Sequence, residues 1–256
     1  MEKYEVLLLY HKAAALLKSN NKCHIVVGDL HLGLERKLYE KGIKMHTASE
    51  VMANTLMKIA DDYKTKSIIL LGDVKESILN PDVGERRSIN QFFDALNGFD
   101  IKIASGNHDS RLGDLVKAPI EDEIIMGNVA LLHGNAWPSE AAMQKDYLIV
   151  AHNHVAVAFK DKNGRAYAQK AWLVSGLDSA GAKKRYKKFN AEIKLVVMPA
   201  FNDLIIGMPV NAVSDSHINP LFRNRVFNYE ESEVYSMDGI LIGSPSSLKA
   251  AGSIPL

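Results

Sequence analysis

The segment "GNHDSR" (106–111) follows the short apolar run "IKIAS" (101–105). An asparagine, a histidine and an aspartate are thus gathered where a buried strand would end. The same arrangement recurs along the chain. "CHIVVG" (23–28) runs into Asp29-Leu30-His31, and "SIILLG" (67–72) into Asp73. "NVALLH" (128–133) ends at His133 before Gly134, and "DYLIVA" (146–151) runs into His152-Asn153-His154. Near-continuous apolar runs of this length fit strands covered on both faces. Helical patterns alternate with them. "TASEVMANTLMKIADDYK" (47–64) places Val51, Leu56, Ile59 and Tyr63 near one face, with Thr47 and Glu50 as a capping box. "ERRSINQFFDALNG" (85–98) is amphipathic and stops at Gly98, a C-cap candidate.

Alternating strands and helices predict an α/β fold. From about Ala166 strands and loops prevail: "AYAQKAWLVSG" (166–176), "EIKLVVMPAF" (192–201) and "SEVYSMDGILIG" (232–243), the last with a hairpin turn at "MDG". No linker or repeat divides the chain, so one domain is expected over 1–256. Its motif core is 23–155, its later strands reach about 243, and 244–256 forms a loosely held tail.

Composition excludes some classes. The 256 residues are 47% hydrophobic and carry a net charge of +1, so no global charge excess points to nucleic acid or an acidic partner. The single cysteine, Cys23, reads as a small buried hydrophobe and fits a reducing, cytoplasmic setting. The opening "MEKYEVLLLYHKAAALLK" is interrupted by His11 and Lys12 and does not read as a signal peptide, and no membrane span is expected.

Five of the nine histidines lie at the strand ends: His31, His108, His133, His152 and His154. Asp29, Asp73 and Asn107 join them there. Polar groups at strand C-termini of an α/β sheet face the usual ligand crevice. Asp29 and His31, like His152 and His154, are two apart, so an extended backbone would send each pair to one side. Glycines at 28, 72, 106 and 134 allow tight turns beside them. Imidazole, carboxylate and amide donors without thiolate suit Mn, Fe, Zn, Co or Ni. The set exceeds what one ion takes and suffices for two if an aspartate bridges; such a pair clamps an in-line displacement at phosphorus.

In order, "DLH" (29–31), "GD" (72–73), "GNHD" (106–109), "HG" (133–134) and "AHNH" (151–154) resemble the signature of the calcineurin-like metallophosphoesterase superfamily over roughly residues 23–155. "DLHLGLE", "GDVK" and "MPAFN" (198–202) are similar to the single-domain phosphoesterases related to the SbcD nuclease subunit. The resemblance implies a four-layer αββα sandwich of two mixed sheets flanked by helices. It implies two divalent ions, with Mn the first candidate: Asp29, His31 and His154 on one, Asn107, His133 and His152 on the other, Asp73 between. His108 would be the general acid and Asp109 would orient it. Two departures stand out. Ala151 replaces a usual glycine, and "VKES" follows Gly72-Asp73 instead of the "xxDRG" of the serine/threonine phosphoprotein phosphatases. With "GNHD" in place of their "GNHE", this argues against a protein phosphatase. The chain is also short for the capping and partner-binding segments of the nuclease subunits, so ATP-driven, processive nuclease work is not expected.

The expected reaction is phosphodiester hydrolysis, with DNA or RNA as substrate, by a hydroxide bridging the ions with His108 as acid. The alternative is a hydrolase of small nucleotides or phosphomonoesters, and a remote third reading is an inactive scaffold. Arg111 is a candidate contact to substrate phosphate or a rim salt bridge, with Lys75 a weaker one. The run "GAKKRYKKFN" (181–190) could track a nucleic-acid backbone with Tyr186 or Phe189 stacking on a base, or be a solvated face. Phe201 reads as core, whereas Asn202 could reach the site. His11, His24, His46 and His217 read as structural.

Overall fold

The computed structural model describes residues 2–36, 41–43, 48–212 and 219–250. The first sheet runs β1 (Glu5–Leu9), β2 (Ala14–Lys18), β3 (Cys23–Gly28), β4 (Ser67–Leu71), β5 (Asp100–Ala104) and β6 (Ile120–Glu121), in that spatial order. β1, β2 and β3 pair antiparallel, and β3 to β6 pair parallel. The N-terminal apolar stretch is therefore a hairpin that turns at Ala13, with φ 49°.

The second sheet has the order β13 (Met208–Pro209), β10 (Val155–Lys160), β11 (Ala166–Gly176), β12 (Lys194–Val197), β9 (Tyr147–Val150), β8 (Val129–Leu131) and β7 (Ile124–Met126). β14 (Glu233–Ser236) pairs with β11 and turns through Gly239, φ 76°, into β15 (Leu241–Gly243), the hairpin expected at "MDG". Both sheets are mixed, as expected.

Strand alternation builds the layers. In β3, Ile25 and Val27 pack with Met52, Leu56, Ile89 and Phe92 of the helices α1 (Ala48–Tyr63) and α2 (Val83–Ala95). Val26, between them, packs on Ile149, Val196 and Trp172 of the second sheet. On the far side, Leu148 and Val150 of β9 meet Ala142 and Met143 of α3 (Glu140–Met143), Ala182 of α4 (Ser179–Lys183) and Phe222 of α5 (Pro220–Arg223). The order is helices, sheet, sheet, helices. Each fully buried aliphatic side chain in these cores stabilises by about 1.5–3 kcal/mol.

Local expectations fared unevenly. In α1 the buried stripe is Met52, Ala53, Leu56, Ile59 and Ala60, and Val51 is 54% exposed. Five residues separate Val51 from Leu56, which turns it roughly 140° away, so the two cannot share a face. Thr47 of the expected capping box, and His46 and His217, lie outside the described residues. α2 begins at Val83, where the Asp82 carboxylate accepts from the amides of Gly84 and Glu85 at 2.8 and 2.9 Å. It ends at Ala95, three residues before Gly98, which takes a positive φ of 87° in the following turn. Cys23 is half-buried against the first core, and burial raises its thiol pKa. Of the segment expected as a tail, 245–250 form α6 (Pro245–Ala250), where Lys249 Nζ donates to Glu230 Oε1 at 2.7 Å, and 251–256 lie outside the described residues.

Candidate metal centre

Parallel pairing brings the C-terminal ends of β3, β4 and β5 together, and likewise those of β8 and β9. The five motifs leave these ends and meet between the sheets. The joints are backbone and side-chain hydrogen bonds. The amides of Asp29 and His31 donate to the carbonyls of Gly72 (3.2 Å) and Asp73 (2.8 Å). Across the sheets, the His152 amide donates to Asp29 Oδ2 at 3.0 Å, and His133 Nδ1 to the Leu71 carbonyl at 2.8 Å.

Three clusters result among the described residues, one of them His31, Glu76 and His108; the other two share an aspartate. Ligand-capable atoms of Asp29, His31, Asp73 and His154 all lie within 4.8 Å of one another, as do those of Asp73, His133 and His152. Asp73 belongs to both. The pairs two apart do converge, but not through extended backbone. Asp29, His31, Asp73, His152 and His154 have φ of 56°, 42°, 47°, 69° and 43°. They are five of the nine described non-glycine residues in the left-handed region. Each such conformation costs on the order of 1–3 kcal/mol and persists only where its surroundings over-determine it. The glycines make room: a Cβ on Gly106 would strike the amide and carboxylate of Asp73, and one on Gly28 would lie 2.5 Å from the Ala151 Cβ.

The imidazoles are oriented from behind. His31 Nδ1 lies 2.8 Å from Glu76 Oε2, His133 Nδ1 donates to the Leu71 carbonyl, and His108 Nδ1 donates to the Glu76 carbonyl at 2.5 Å. A proton held on Nδ1 leaves Nε2 to face the site. His31 Nε2 is 3.6 Å and His133 Nε2 3.2 Å from Asp73 Oδ2, and His154 Nε2 is 3.4 Å from Asp29 Oδ1.

The buried carboxylates draw positive charge into the site. Burial opposes ionisation of Asp73, yet the hydrogen bond and charge of His133 hold its carboxyl well below the usual range. Burial likewise opposes protonation of His133, but Asp73 and Asp29 lift it to about 9. Burial and the charge on His133 press His152, whose Nδ1 sits 3.0 Å from His133 Nε2, down to about 4. Two buried carboxylates, four imidazoles and no thiolate make a donor set that fits two borderline or hard divalent cations.

Other expected residues are placed differently. Asn107 is exposed beside these clusters, and its amide makes no hydrogen bond among the described residues; the next backbone amide, of His108, donates to Asp73 Oδ1 at 2.9 Å. Asp109 does not orient His108. It is buried, and it accepts from the amides of Val74 (2.9 Å) and Gly106 (2.8 Å), tying the two motif loops together. The Glu76 carbonyl orients His108 instead. Arg111 is committed on the rim, to Asp114 Oδ2 and Asn80 Oδ1, both at 3.1 Å. Lys75 is 0% exposed, and its ammonium donates to the carbonyls of Ser77, Ile78 and Leu79, so it shapes its own loop and is no surface contact for phosphate.

The basic run lies away from the centre. Gly176, ending β11, pairs with Lys194, and Lys194 with Tyr147, at the end of β9 opposite His152. Tyr186 is buried with its hydroxyl on the Pro138 carbonyl at 3.0 Å, Phe189 packs on the outer core, and Arg185 covers the Trp137 ring at 3.9 Å. Tyr186 is closed to a base, and Phe189 is half-buried with its ring against the core. His24 bonds Ser67 Oγ at 2.8 Å, and His11 is exposed 3.5 Å from Asp238.

Glu76 is the residue sequence reasoning missed. It serves His31 with its carboxylate and His108 with its carbonyl. The signal was available: it stands three residues after Asp73, where "xxDRG" has its acid.

No protein-family model matches the chain, and no curated protein does. Among solved structures, the nuclease MPE of Pseudomonas putida matches with a TM-score of 0.54 at 16% identity, over 91% of this chain and 96% of that one. Yfce, a phosphoesterase from E. coli, matches with a TM-score of 0.41 at 15% identity, over 86% of this chain and 96% of that one. The first of these likenesses shows the fold: two mixed sheets between helical layers, the metallophosphoesterase architecture that the five motifs led us to expect.

Proposed function

We propose that this protein hydrolyses phosphoesters with two divalent ions, Mn²⁺ the first candidate. The observation that carries the reading is the pair of His/Asp clusters sharing Asp73, with His108 beside them. Asp29, His31, Asp73 and His154 would hold one ion; Asp73, His133, His152 and Asn107 the other. When bound, such ions acidify a water and neutralise charge on the phosphoryl oxygens.

The remaining work belongs to the chain. Asp73 keeps both clusters in one geometry through its hydrogen bonds to His108 and His133. His108, its Nδ1 proton held by the Glu76 carbonyl, would act as the imidazolium, giving its Nε2 proton to the leaving oxygen and keeping the one on Nδ1. Its ring stands edge-on to His31, centroids 4.9 Å apart, at the border of one cluster. Asp109 acts through the loops it joins.

A phosphodiester of nucleic acid is the favoured substrate, supported by the likeness to a nuclease. Small nucleotides or phosphomonoesters are the second reading, favoured by the remote basic run. The test is a metal-supplemented panel of a chromogenic diester, a monoester, cyclic nucleotides, and single- and double-stranded DNA and RNA. Chelator-sensitive cleavage of a diester is expected. Metal analysis finding fewer than two ions at saturation would remove the two-ion mechanism, and monoesterase activity alone would remove the diester assignment.

A further inference from the structure

Resting on the two-ion reading above, we infer that the loop 200–208 is a clasp dedicated to one of the two ions, and that Asn202 and Lys170 are its positioning residues. The loop touches the backbone at each of the three ligands that Asp73 joins in the first cluster. The Phe201 amide donates to the Gly28 carbonyl at 2.9 Å, and Asn202 Nδ2 to the Leu30 carbonyl at 2.7 Å. These two carbonyls flank Asp29, and the second precedes His31. At its other end, the Met208 amide donates to the His154 carbonyl at 2.8 Å. Gly207, φ 109°, passes so close that any Cβ would strike that same carbonyl.

The loop is itself fixed from below. Lys170 on β11 gives all three of its ammonium protons to it: to the carbonyls of Ala200 (2.8 Å) and Asn202 (2.9 Å) and to Asp203 Oδ1 (2.9 Å). Asn202 is 1% exposed, and its Oδ1 accepts from the Leu204 amide at 3.0 Å, so the amide cannot rotate without leaving buried groups unpaired. The second cluster is held mainly from elsewhere: His133 by the Leu71 carbonyl and by the Ala151 amide on its own carbonyl, and Asp73 by the His108 amide, while the His152 amide on the Asp29 carboxylate and the His31 amide on the Asp73 carbonyl are its links to the clasped segment.

Asp29, His31 and His154 all adopt left-handed backbone conformations, which need outside hydrogen bonds to persist. The clasp supplies them on one side of the centre. The two ions should therefore respond unequally when it is loosened.

The test is a Mn²⁺ titration followed by calorimetry and by the electron paramagnetic resonance signal of free ion, on the parent, Asn202→Ala and Lys170→Met. One of two binding steps should weaken by about 10–100-fold, the usual effect of removing a group that orients a metal ligand. The other step should move by less than about threefold. Lys170→Arg, which keeps the charge and donors, should recover part of the loss, and it carries the test alone if the other variants do not fold. Two unchanged steps would overturn the clasp, and so would two steps weakened equally. A parent that binds fewer than two ions defeats the two-ion reading itself, a result separate from any variant.

Discussion

Gly28 and Ala151 stand opposite one another where the two sheets meet, each just before a proposed ligand, Asp29 and His152. A Cβ on Gly28 would lie 2.5 Å from the Ala151 Cβ, 3.2 Å from the Leu71 carbonyl oxygen and 3.3 Å from the Leu71 Cβ. Two carbons rest at about 3.5–4.0 Å, so Gly28→Ala must drive β3 and β9 apart by on the order of 1 Å. Overpacking of this kind costs about 1–3 kcal/mol. For a chain of this size, 2 kcal/mol corresponds to about 4–8 °C in Tm. Ala151→Gly removes a fully buried methyl and adds backbone freedom, for about 1–2 kcal/mol together. The double variant moves the methyl from one strand to the other. Only the tight Leu71 contacts remain, so its loss should fall short of the sum by about 1 kcal/mol or more. Calorimetry on the metal-free forms, with urea midpoints beside it, measures the cycle. If Gly28→Ala is neutral, or the two losses simply add, the packing argument fails. The close approach also accounts for Ala151: its methyl, at a motif position where glycine is usual, fits because Gly28 opposite it has no Cβ.

Asp73→Asn should lose both ions and turnover, whereas His108→Ala should keep two ions in a metal titration and lose about 10²–10⁴ in rate; loss of metal from the latter would show that His108 is a ligand. Replacing Lys183, Lys184, Lys187 and Lys188 together by alanine should leave diester hydrolysis and the salt dependence of DNA binding unchanged, since that run sits at the far end of β9 and β12; a flatter slope of log affinity against log salt would contradict this placement. His24, lowered below its ordinary pKa by burial, gives stability that is present above about pH 6.5 and is lost as pH falls through its folded value. The drop in urea midpoint between pH 7.5 and pH 5 should therefore shrink in His24→Gln, and an unchanged drop would exclude His24 as a source.

Much was legible in the residues alone. Apolar runs too continuous for a one-sided sheet announced buried strands, and the polar residues after each announced where they would meet. The alternation of those runs with amphipathic segments gave the α/β class, and the absence of thiolate from the donor set narrowed the metals. These features are local: they depend on neighbours within a few positions, which a sequence displays directly. Folding decided what depends on contacts between distant segments. Asp109 carries a carboxylate beside His108 in sequence, yet its oxygens reach the amides of Val74 and Gly106, and a carbonyl from Glu76 orients the imidazole. Lys75 and Tyr186 looked available to a substrate until packing enclosed them. The left-handed backbone at five site residues is only weakly marked in their identities: all are Asp or His, which enter that region more readily than most non-glycine residues, but none is glycine. The groups that meet this backbone come from distant segments, the Gly72 and Asp73 carbonyls on the amides of Asp29 and His31 and Asn202 on the intervening Leu30 carbonyl, and only the packed sheets bring them within reach.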